Sequence, residues 1–214
     1  MAVRVKICGI MDAAAAIVAA AAGADAIGLV FAPSRRQVSI SQAREISAEL
    51  PPFVTKVGVF VDEDRARVLE TAHACGLDMV QLHGLEPPEY CAALRIPVIK
   101  AIRVRDARSL EAMRKYRVAA FLLDSYDPDL AGGTGTAFKW DLASGLRATA
   151  PVILSGGLTA DNVGDALDTV QPYAVDVSSG VEANGRKDHA KIRAFIEQVR
   201  EWSAKQASPR RARS

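Results

Sequence analysis

The chain has few cysteines, and they form no pattern that suggests a disulfide framework or a metal site. Cys8, Cys75 and Cys91 are the three cysteines among 214 residues, and none belongs to a CxxC pair or to a cysteine and histidine cluster. An odd number without ligand spacing argues against both disulfide bonding and zinc binding. We therefore predict no metal site.

Long apolar runs are also missing. No stretch reaches the roughly 18 apolar residues that a membrane-spanning helix needs. The longest candidate, Ala13–Ala22, is rich in alanine and is typical of a helix in a folded domain. The N-terminus enters a strand pattern at Val3 without the apolar core of a signal peptide. These features predict a cytoplasmic protein without a membrane partner.

The small positive charge of the chain comes from its C-terminal end. Removing the charges of Lys205, Arg210, Arg211 and Arg213 changes the net charge from +2 to −2. The body is therefore not a basic platform for nucleic acid. Residues 204–214 contain no acidic side chain, and we predict that they form a basic, disordered tail. Residues 1–203 then form one folded domain.

The body alternates between apolar strand-like runs and helical stretches. The predicted strands are Val3–Cys8, Ala26–Phe31, Lys56–Val61, Met79–Leu82, Val98–Ile102, Phe121–Asp124, Val152–Leu154 and Ala174–Val177. Several runs are continuously apolar, as expected of parallel strands that are covered on both faces. Eight strand and helix units predict an α/β fold, a single (β/α)8 barrel with a parallel eight-stranded core. Seven or fewer true strands would instead favour an open doubly wound sheet.

Helix start signals support this alternation. The predicted N-caps and their helices are Asp12 before Ala13–Ala22, Ser41 before Gln42–Leu50, Asp62 before Glu63–Ala74, Asp106 before Ala107–Tyr116 and Asp188 before His189–Trp202. Short polar side chains at these positions satisfy free N–H groups of the first turn. Gly23 and Gly76 supply the corresponding stop signals.

Cys8 and Asp124 are the candidate catalytic base and acid. Each closes an apolar strand, and the C-terminal ends of barrel strands share one mouth. Cys8 alone could be a small core residue, and Asp124 could cap a loop. A thiol needs a positive neighbour to act as a thiolate near neutral pH. Lys6, two residues earlier on the same strand face, could supply that charge.

Glycine-rich loops follow the last two predicted strands. They contain Gly156 and Gly157 after the seventh strand, and Ser179 and Gly180 after the eighth. Loops at these two positions commonly bind phosphate in barrels, because glycine lets backbone N–H groups approach an anion. Ordinary tight turns are the alternative. A third cluster, Gly132–Gly135, could form a lid or a simple connector.

Four further side chains are candidates for the wall of the mouth. Arg36 could receive a carboxylate through its guanidinium fork, or it could be a solvated surface residue. Gln81 and His83 share a face near the end of the fourth strand, and Asp176 lies in the eighth. These are candidate substrate-binding residues.

Taken together, these segments resemble the phosphoribosylanthranilate isomerase family of tryptophan biosynthesis. The matching segments are Val5–Ile10, Gly23–Gly28, Val80–Gly84, Leu122–Asp124, Gly132–Gly135, Leu154–Leu158 and Val175–Glu182. They occur in order along the whole chain except the tail.

The resemblance implies a cofactor-independent Amadori rearrangement of N-(5-phosphoribosyl)anthranilate. It implies that Asp124 is the general acid that opens the ribose ring and that Cys8 is the general base that removes the C2 proton. Arg36 corresponds to the residue that holds the anthranilate carboxylate. The partner is a small phosphoribosyl substrate.

Two other kinds of protein remain as alternatives. One is another phosphosugar-isomerising barrel, such as the ribotide isomerase of histidine synthesis or a metal-dependent pentose-phosphate epimerase. The former would place an aspartate where Cys8 stands, and the latter would need paired histidine and aspartate ligands. The other is a non-catalytic phosphate-ligand sensor. The sequence is compatible with either a monomer or a homodimer.

Overall fold

The computed structural model describes residues 2–125 and 140–207 of the chain. Its strands are β1 (Arg4–Cys8), β2 (Ala26–Val30), β3 (Thr55–Phe60), β4 (Met79–Leu82), β5 (Val98–Val104), β6 (Ala120–Ser125), β7 (Val152–Leu154) and β8 (Ala174–Val177). All eight are parallel and close in sequence order into a barrel. The predicted (β/α)8 architecture is therefore confirmed, and the open sheet is not formed.

Closure of the barrel depends on the pairing of its first and last strands. In this seam Lys6 of β1 lies opposite Asp176 of β8, and Ile7 lies opposite Val177. On its other edge, β1 pairs with β2, where Cys8 lies opposite Gly28. The C-terminal ends of the eight strands therefore share one end of the barrel, which is the mouth.

Seven α-helices accompany the strands within the described residues. They are α1 (Ala13–Ala22), α2 (Ile40–Ala48), α3 (Arg65–Ala74), α4 (Pro88–Ala93), α5 (Ala107–Glu111), α6 (Val163–Val170) and α7 (His189–Ala207). Short 3-10 helices cover Ala112–Lys115, Trp140–Ala143 and Ser179–Val181. A two-stranded hairpin of β9 (Glu182–Ala183) and β10 (Arg186–Lys187) follows β8.

Two predicted helix starts are wrong by two residues. Helix α2 is capped by Ser39 rather than Ser41, because Ser39 and Gln42 form a reciprocal capping box. Helix α3 is capped by Asp64 rather than Asp62. The Asp62 carboxylate instead accepts a hydrogen bond from the backbone N–H of Leu85, at 2.6 Å.

The remaining helix signals lie where they were predicted. Asp12 caps α1, and Gly23 ends it in the left-handed conformation with φ of 98°. Asp106 caps α5, which changes into a 3-10 helix after Glu111. The Asp188 carboxylate accepts hydrogen bonds from the first turn of α7.

The last helix continues past the predicted end at Trp202. Helix α7 reaches Ala207, so residues 204–207 of the predicted tail are helical. Its buried face carries Ile192, Phe195, Ile196 and Val199. The disorder predicted for the rest of the tail concerns residues 208–214, which lie outside the described part of the chain.

Apolar side chains pack in two layers. The larger lies between the strands and the helices, and the smaller fills the barrel interior with small and branched side chains. The inner residues are Val57, Ile99, Ala101, Ala120, Leu122, Ile153 and Ala174. Among the described residues, no helix is long and apolar enough to cross a membrane.

Candidate active site

A buried ion pair lies at the centre of the mouth. The Lys6 ammonium donates to Asp176 Oδ1 at 2.6 Å and to Gln81 Oε1 at 3.0 Å. Ser155 Oγ donates to the other Asp176 oxygen at 3.2 Å. Burial alone lowers the pKa of Lys6, but Asp176 and Cys8 together act more strongly in the opposite direction, and the pKa is raised. Lys6 therefore stays charged, and its charge is paired.

Gln81 extends this pair to the candidate acid. Its amide nitrogen lies 3.0 Å from His83 Nδ1, and His83 Nε2 lies 3.1 Å from Asp124 Oδ2. Gln81 is 1% exposed, whereas the Asp124 and His83 side chains are partly open to the mouth. Four side chains, from β1, β4, the residue directly after β4, and β6, thus form one continuous hydrogen-bonded chain.

Cys8 lies beside the other side of Lys6. A Cβ added to Gly28 on the neighbouring strand would come within 2.7 Å of Cys8 Sγ and 3.2 Å of Lys6 Nζ. Glycine at position 28 therefore makes room for the thiol and the ammonium together. The structure links Cys8 to Asp124 through the Lys6, Gln81 and His83 side chains.

The environment of Cys8 makes its thiol harder to ionise than a free thiol. Burial raises the pKa of Cys8, Lys6 acts in the opposite direction, and Asp176 raises it again. The predicted influence of Lys6 is present and has the expected sign. It does not outweigh burial, which has the largest effect on this thiol.

Arg36 reaches the mouth already bound to a carboxylate. Its Nε and Nη2 donate to the two oxygens of Glu182, at 2.6 and 2.8 Å. Its stem crosses the end of β1, where a Cβ on Gly9 would approach Arg36 Cδ to 2.5 Å. Glu182 engages the Nε and Nη2 edge of the guanidinium, and Nη1 has no hydrogen-bond partner within the described part of the chain.

Lys187 completes this second cluster. Its ammonium donates to Glu182 Oε1 at 2.8 Å and to the Ser178 carbonyl at 2.9 Å. Burial alone raises the pKa of Glu182, but the hydrogen bonds from Arg36 and Lys187 lower it to about 2. Glu182 is therefore ionised throughout the neutral range and fixes the direction of Arg36.

The two glycine-rich loops lie side by side, as their predicted positions require. A Cβ on Gly180 would collide with the Leu158 carbonyl oxygen. Gly156 and Gly157 both have positive φ, at 88° and 68°. Among the described residues, outside helices and strands, the N–H groups of these glycines, Ser179 and Gly180 donate no hydrogen bond to another backbone group. Their N–H groups are thus available for an anion.

Several predicted features lie elsewhere. Cys75 and Cys91 are buried in the helical layer, as expected of packing residues. The candidate lid Gly132–Gly135 lies outside the described residues. Among residues 2–125 and 140–207, no group of three or more histidine, cysteine or acidic side chains could hold a metal ion.

Comparison with known families shows which family the chain belongs to. The family model of N-(5'-phosphoribosyl)anthranilate (PRA) isomerase matches residues 5–198. The chain belongs to the PRA isomerase family. The resemblance noted in the sequence is therefore confirmed, and the match covers all eight strands.

Individual relatives agree with this membership. The chain is 56% identical to the N-(5'-phosphoribosyl)anthranilate isomerase of Geobacter sulfurreducens, over 94% of this chain and all of that one. A structure of monomers generated from the dimeric isomerase of Thermotoga maritima has a TM-score of 0.82 and 43% identity, over 93% and 99% of the two chains. A PRA isomerase in complex with reduced 1-(o-carboxyphenylamino)-1-deoxyribulose 5-phosphate has a TM-score of 0.78 and 46% identity, with the same coverage.

Sequence reasoning missed Glu182 and Lys187 as parts of this PRA isomerase mouth. Glu182 ends the segment that carries the family resemblance, but nothing local shows that it pairs with Arg36, 146 residues earlier. Lys187 follows the Gly185 turn, and its burial depends on the β9 and β10 hairpin. An acidic residue directly after the second glycine-rich loop was the available signal.

The depressed pKa of Glu182 predicts a specific acid sensitivity. The carboxylate stabilises the folded state above its ordinary value of 4.5, and this contribution is lost as the pH falls towards about 2. Glu182→Gln removes this proton-linked contribution. Urea denaturation at a series of pH values should therefore show a shallower loss of stability below pH 4.5 in the variant.

Glu201→Gln, on the exposed face of α7, is the matched control and should keep the wild-type slope. An identical pH slope in Glu182→Gln and wild type would contradict the ion-pair assignment.

Proposed function

We propose that this mouth converts N-(5-phosphoribosyl)anthranilate into 1-(2-carboxyphenylamino)-1-deoxyribulose 5-phosphate, a step of tryptophan biosynthesis. Asp124 donates a proton to the furanose ring oxygen, and the ring opens to a protonated Schiff base. Cys8 then removes the proton from C2, and the resulting enolamine tautomerises to the ketone. The observation that carries this proposal is the chain of contacts from Cys8 through Lys6, Gln81 and His83 to Asp124.

The electrostatics of the mouth support this order of steps. Cys8 is a thiol when ligand-free, because burial raises its pKa. Ring opening creates a cationic Schiff base beside it, and a nearby positive charge favours the thiolate. The reaction moves protons without a change of redox state, so one tuned acid and one tuned base are sufficient.

The remaining groups match the two anionic ends of the substrate. The paired loops at Gly156–Gly157 and Ser179–Gly180 offer backbone N–H groups to the phosphate. Arg36 offers its remaining guanidinium edge to the anthranilate carboxylate. Binding both ends orients the ribose between the acid and the base.

Cys8→Ala and Asp124→Asn should each reduce kcat by about 10²- to 10⁴-fold, the usual contribution of a general acid or base. The loss of anthranilate-derivative fluorescence measures turnover. Titration with the reduced product analogue should show that both variants still bind, since phosphate and carboxylate contacts are unchanged.

Cys91→Ala and Asp165→Asn are the matched controls, because these residues lie in the helical layer and on the surface of α6. Near-normal kcat in Cys8→Ala or Asp124→Asn would remove that residue from the mechanism. Binding of the analogue without turnover by the wild-type chain would reject the isomerase proposal and favour the sensor.

Arg36→Met should weaken substrate binding more than turnover. Loss of a charge-assisted hydrogen bond of about 1.5–3 kcal/mol corresponds to a rise in KM of about 10- to 100-fold. Arg35→Met is the control, since Arg35 is exposed and lies 3.7 Å from Glu182. Equal KM values for the two variants would reject the carboxylate clamp.

We also propose that the chain forms a homodimer through the end of the barrel opposite the mouth. A cavity of about 320 Å³ opens there among the strand starts, and Phe53 is among its lining residues. Phe53 is 96% exposed and Tyr173 is 54% exposed. Large apolar side chains left in water beside an apolar hollow are typical of an interaction site. The Thermotoga relative is described as dimeric, which supports a second copy as the occupant.

Phe53→Asp should therefore shift the sedimentation coefficient from dimer to monomer at micromolar concentration, with activity retained. Leu85→Asp is the control, because Leu85 is 87% exposed on the loop after β4, near the mouth. A wild-type chain that sediments as a monomer would contradict the dimer.

Free thiols fit the proposed location in the cytoplasm. Cys8, Cys75 and Cys91 are all buried and unpaired. Unpaired cysteines are typical of proteins kept in a reducing compartment.

A further inference from the structure

The Gln81 amide has a fixed orientation because of what lies at its two ends. Its oxygen is 3.0 Å from the Lys6 ammonium, and its nitrogen is 3.0 Å from His83 Nδ1. An ammonium group can only donate hydrogen bonds, so the amide must turn its oxygen towards Lys6. The amide NH2 group is therefore directed at His83. Gln81 is 1% exposed, so its amide is shielded from bulk water.

This orientation selects one tautomer of the neutral His83 ring. A nitrogen that faces an NH2 donor must act as an acceptor, so Nδ1 carries no proton. The proton then lies on Nε2, which is 3.1 Å from Asp124 Oδ2. His83 therefore donates to Asp124. The direction of this hydrogen bond is set by Lys6, whose charge is held in turn by Asp176 at 2.6 Å.

The consequence for Asp124 concerns which of its oxygens carries the acidic proton. Oδ2 is occupied as an acceptor, so a proton on Asp124 must reside on Oδ1. In the opposite tautomer, Nε2 would carry no proton and could only accept a hydrogen bond. A protonated Asp124 would then donate its proton in a hydrogen bond to the ring. That proton would be directed away from the substrate.

We propose that Lys6, Gln81 and His83 form a relay that directs the proton of Asp124 to Oδ1 and stabilises the carboxylate left after proton transfer. Gln81 and His83 are positioning residues in this scheme, which rests on the proposed role of Asp124 as the general acid. The relay deepens that proposal by assigning a task to side chains that do not transfer the proton themselves.

Gln81→Glu tests the direction of the relay with an isosteric change. One carboxylate oxygen still accepts from Lys6, but the other can only accept from His83. The ring should therefore move its proton to Nδ1. Nitrogen-15 NMR of histidine-labelled protein at pH 9 should show the Nε2–H form of His83 in the wild type and the Nδ1–H form in the variant. The His83→Asn spectrum assigns the signal among the three histidines.

Kinetics should change together with the tautomer. We expect Gln81→Glu to lower kcat by about 10- to 100-fold, within the range of a general-acid contribution, with KM changed by less than about threefold. Gln198→Glu, the same substitution on the exposed face of α7, should leave both values unchanged.

A pair of His83 variants separates positioning from simple packing. The amide nitrogen of glutamine overlays Nε2 of histidine, whereas that of asparagine overlays Nδ1. His83→Gln should therefore retain much of kcat, and His83→Asn should lose it about as Gln81→Glu does. A structural role alone would make the two variants equal.

Three outcomes would overturn the relay: a wild-type His83 with its proton on Nδ1, a tautomer switch in Gln81→Glu with unchanged kcat, or equal activity of the His83 pair. Full activity of Asp124→Asn would instead reject the proposed acid. The NMR result is read on the ligand-free protein and does not depend on turnover, so the two failures are distinguishable.

Discussion

The buried pair of Lys6 and Asp176 is the constraint on which the mouth depends. It joins two residues that are 170 positions apart and lie opposite each other in the seam that closes the barrel. Removal of one member of a buried ion pair typically costs about 3–5 kcal/mol, because the other charge stays uncompensated. The same ammonium borders Cys8 and orients Gln81. The charge of Lys6 therefore contributes both to closing the barrel and to arranging the candidate acid and base.

The mouth has two polar systems with different tasks. The first runs from Lys6 through Gln81 to the candidate acid, and in the proposed relay it sets which atoms carry protons. The second contains Arg36, Glu182 and Lys187, and it concerns the direction of one guanidinium group. Ser178 connects the second system to β1, because its hydroxyl donates to the Cys8 carbonyl at 3.1 Å. The loop proposed to bind phosphate, the proposed carboxylate clamp and the candidate base are thus connected by hydrogen bonds through Ser178.

The parts that could be predicted from sequence are those encoded by local patterns. Continuous apolar runs indicate the strands. Because Cys8 and Asp124 lie at the C-terminal ends of their strands, they can be placed at the same end of the barrel. The glycine-rich loops could be predicted in the same way, because they follow the seventh and eighth strands. Helix caps were less certain, since Ser39 and Ser41 both lie near the start of α2 and the choice depends on the reach of Gln42.

The parts that could not be predicted depend on distances between strands. Nothing near Glu182 shows that its carboxylate meets Arg36, and the extent to which burial outweighs Lys6 at Cys8 follows from packing of the whole barrel. Likewise, the direction of the Gln81 amide is set by a lysine 75 residues away. Alternation along a strand predicts which face a side chain occupies, but not which partner it finds there.

The small hairpin after β8 separates the orientation of Arg36 from the closure of the barrel. Glu182 and Lys187 come from β9 and β10, beyond the last barrel strand. The carboxylate that orients Arg36 therefore lies outside the strands whose pairing closes the barrel. A change in this hairpin would alter the direction of one guanidinium group without removing any pairing between barrel strands.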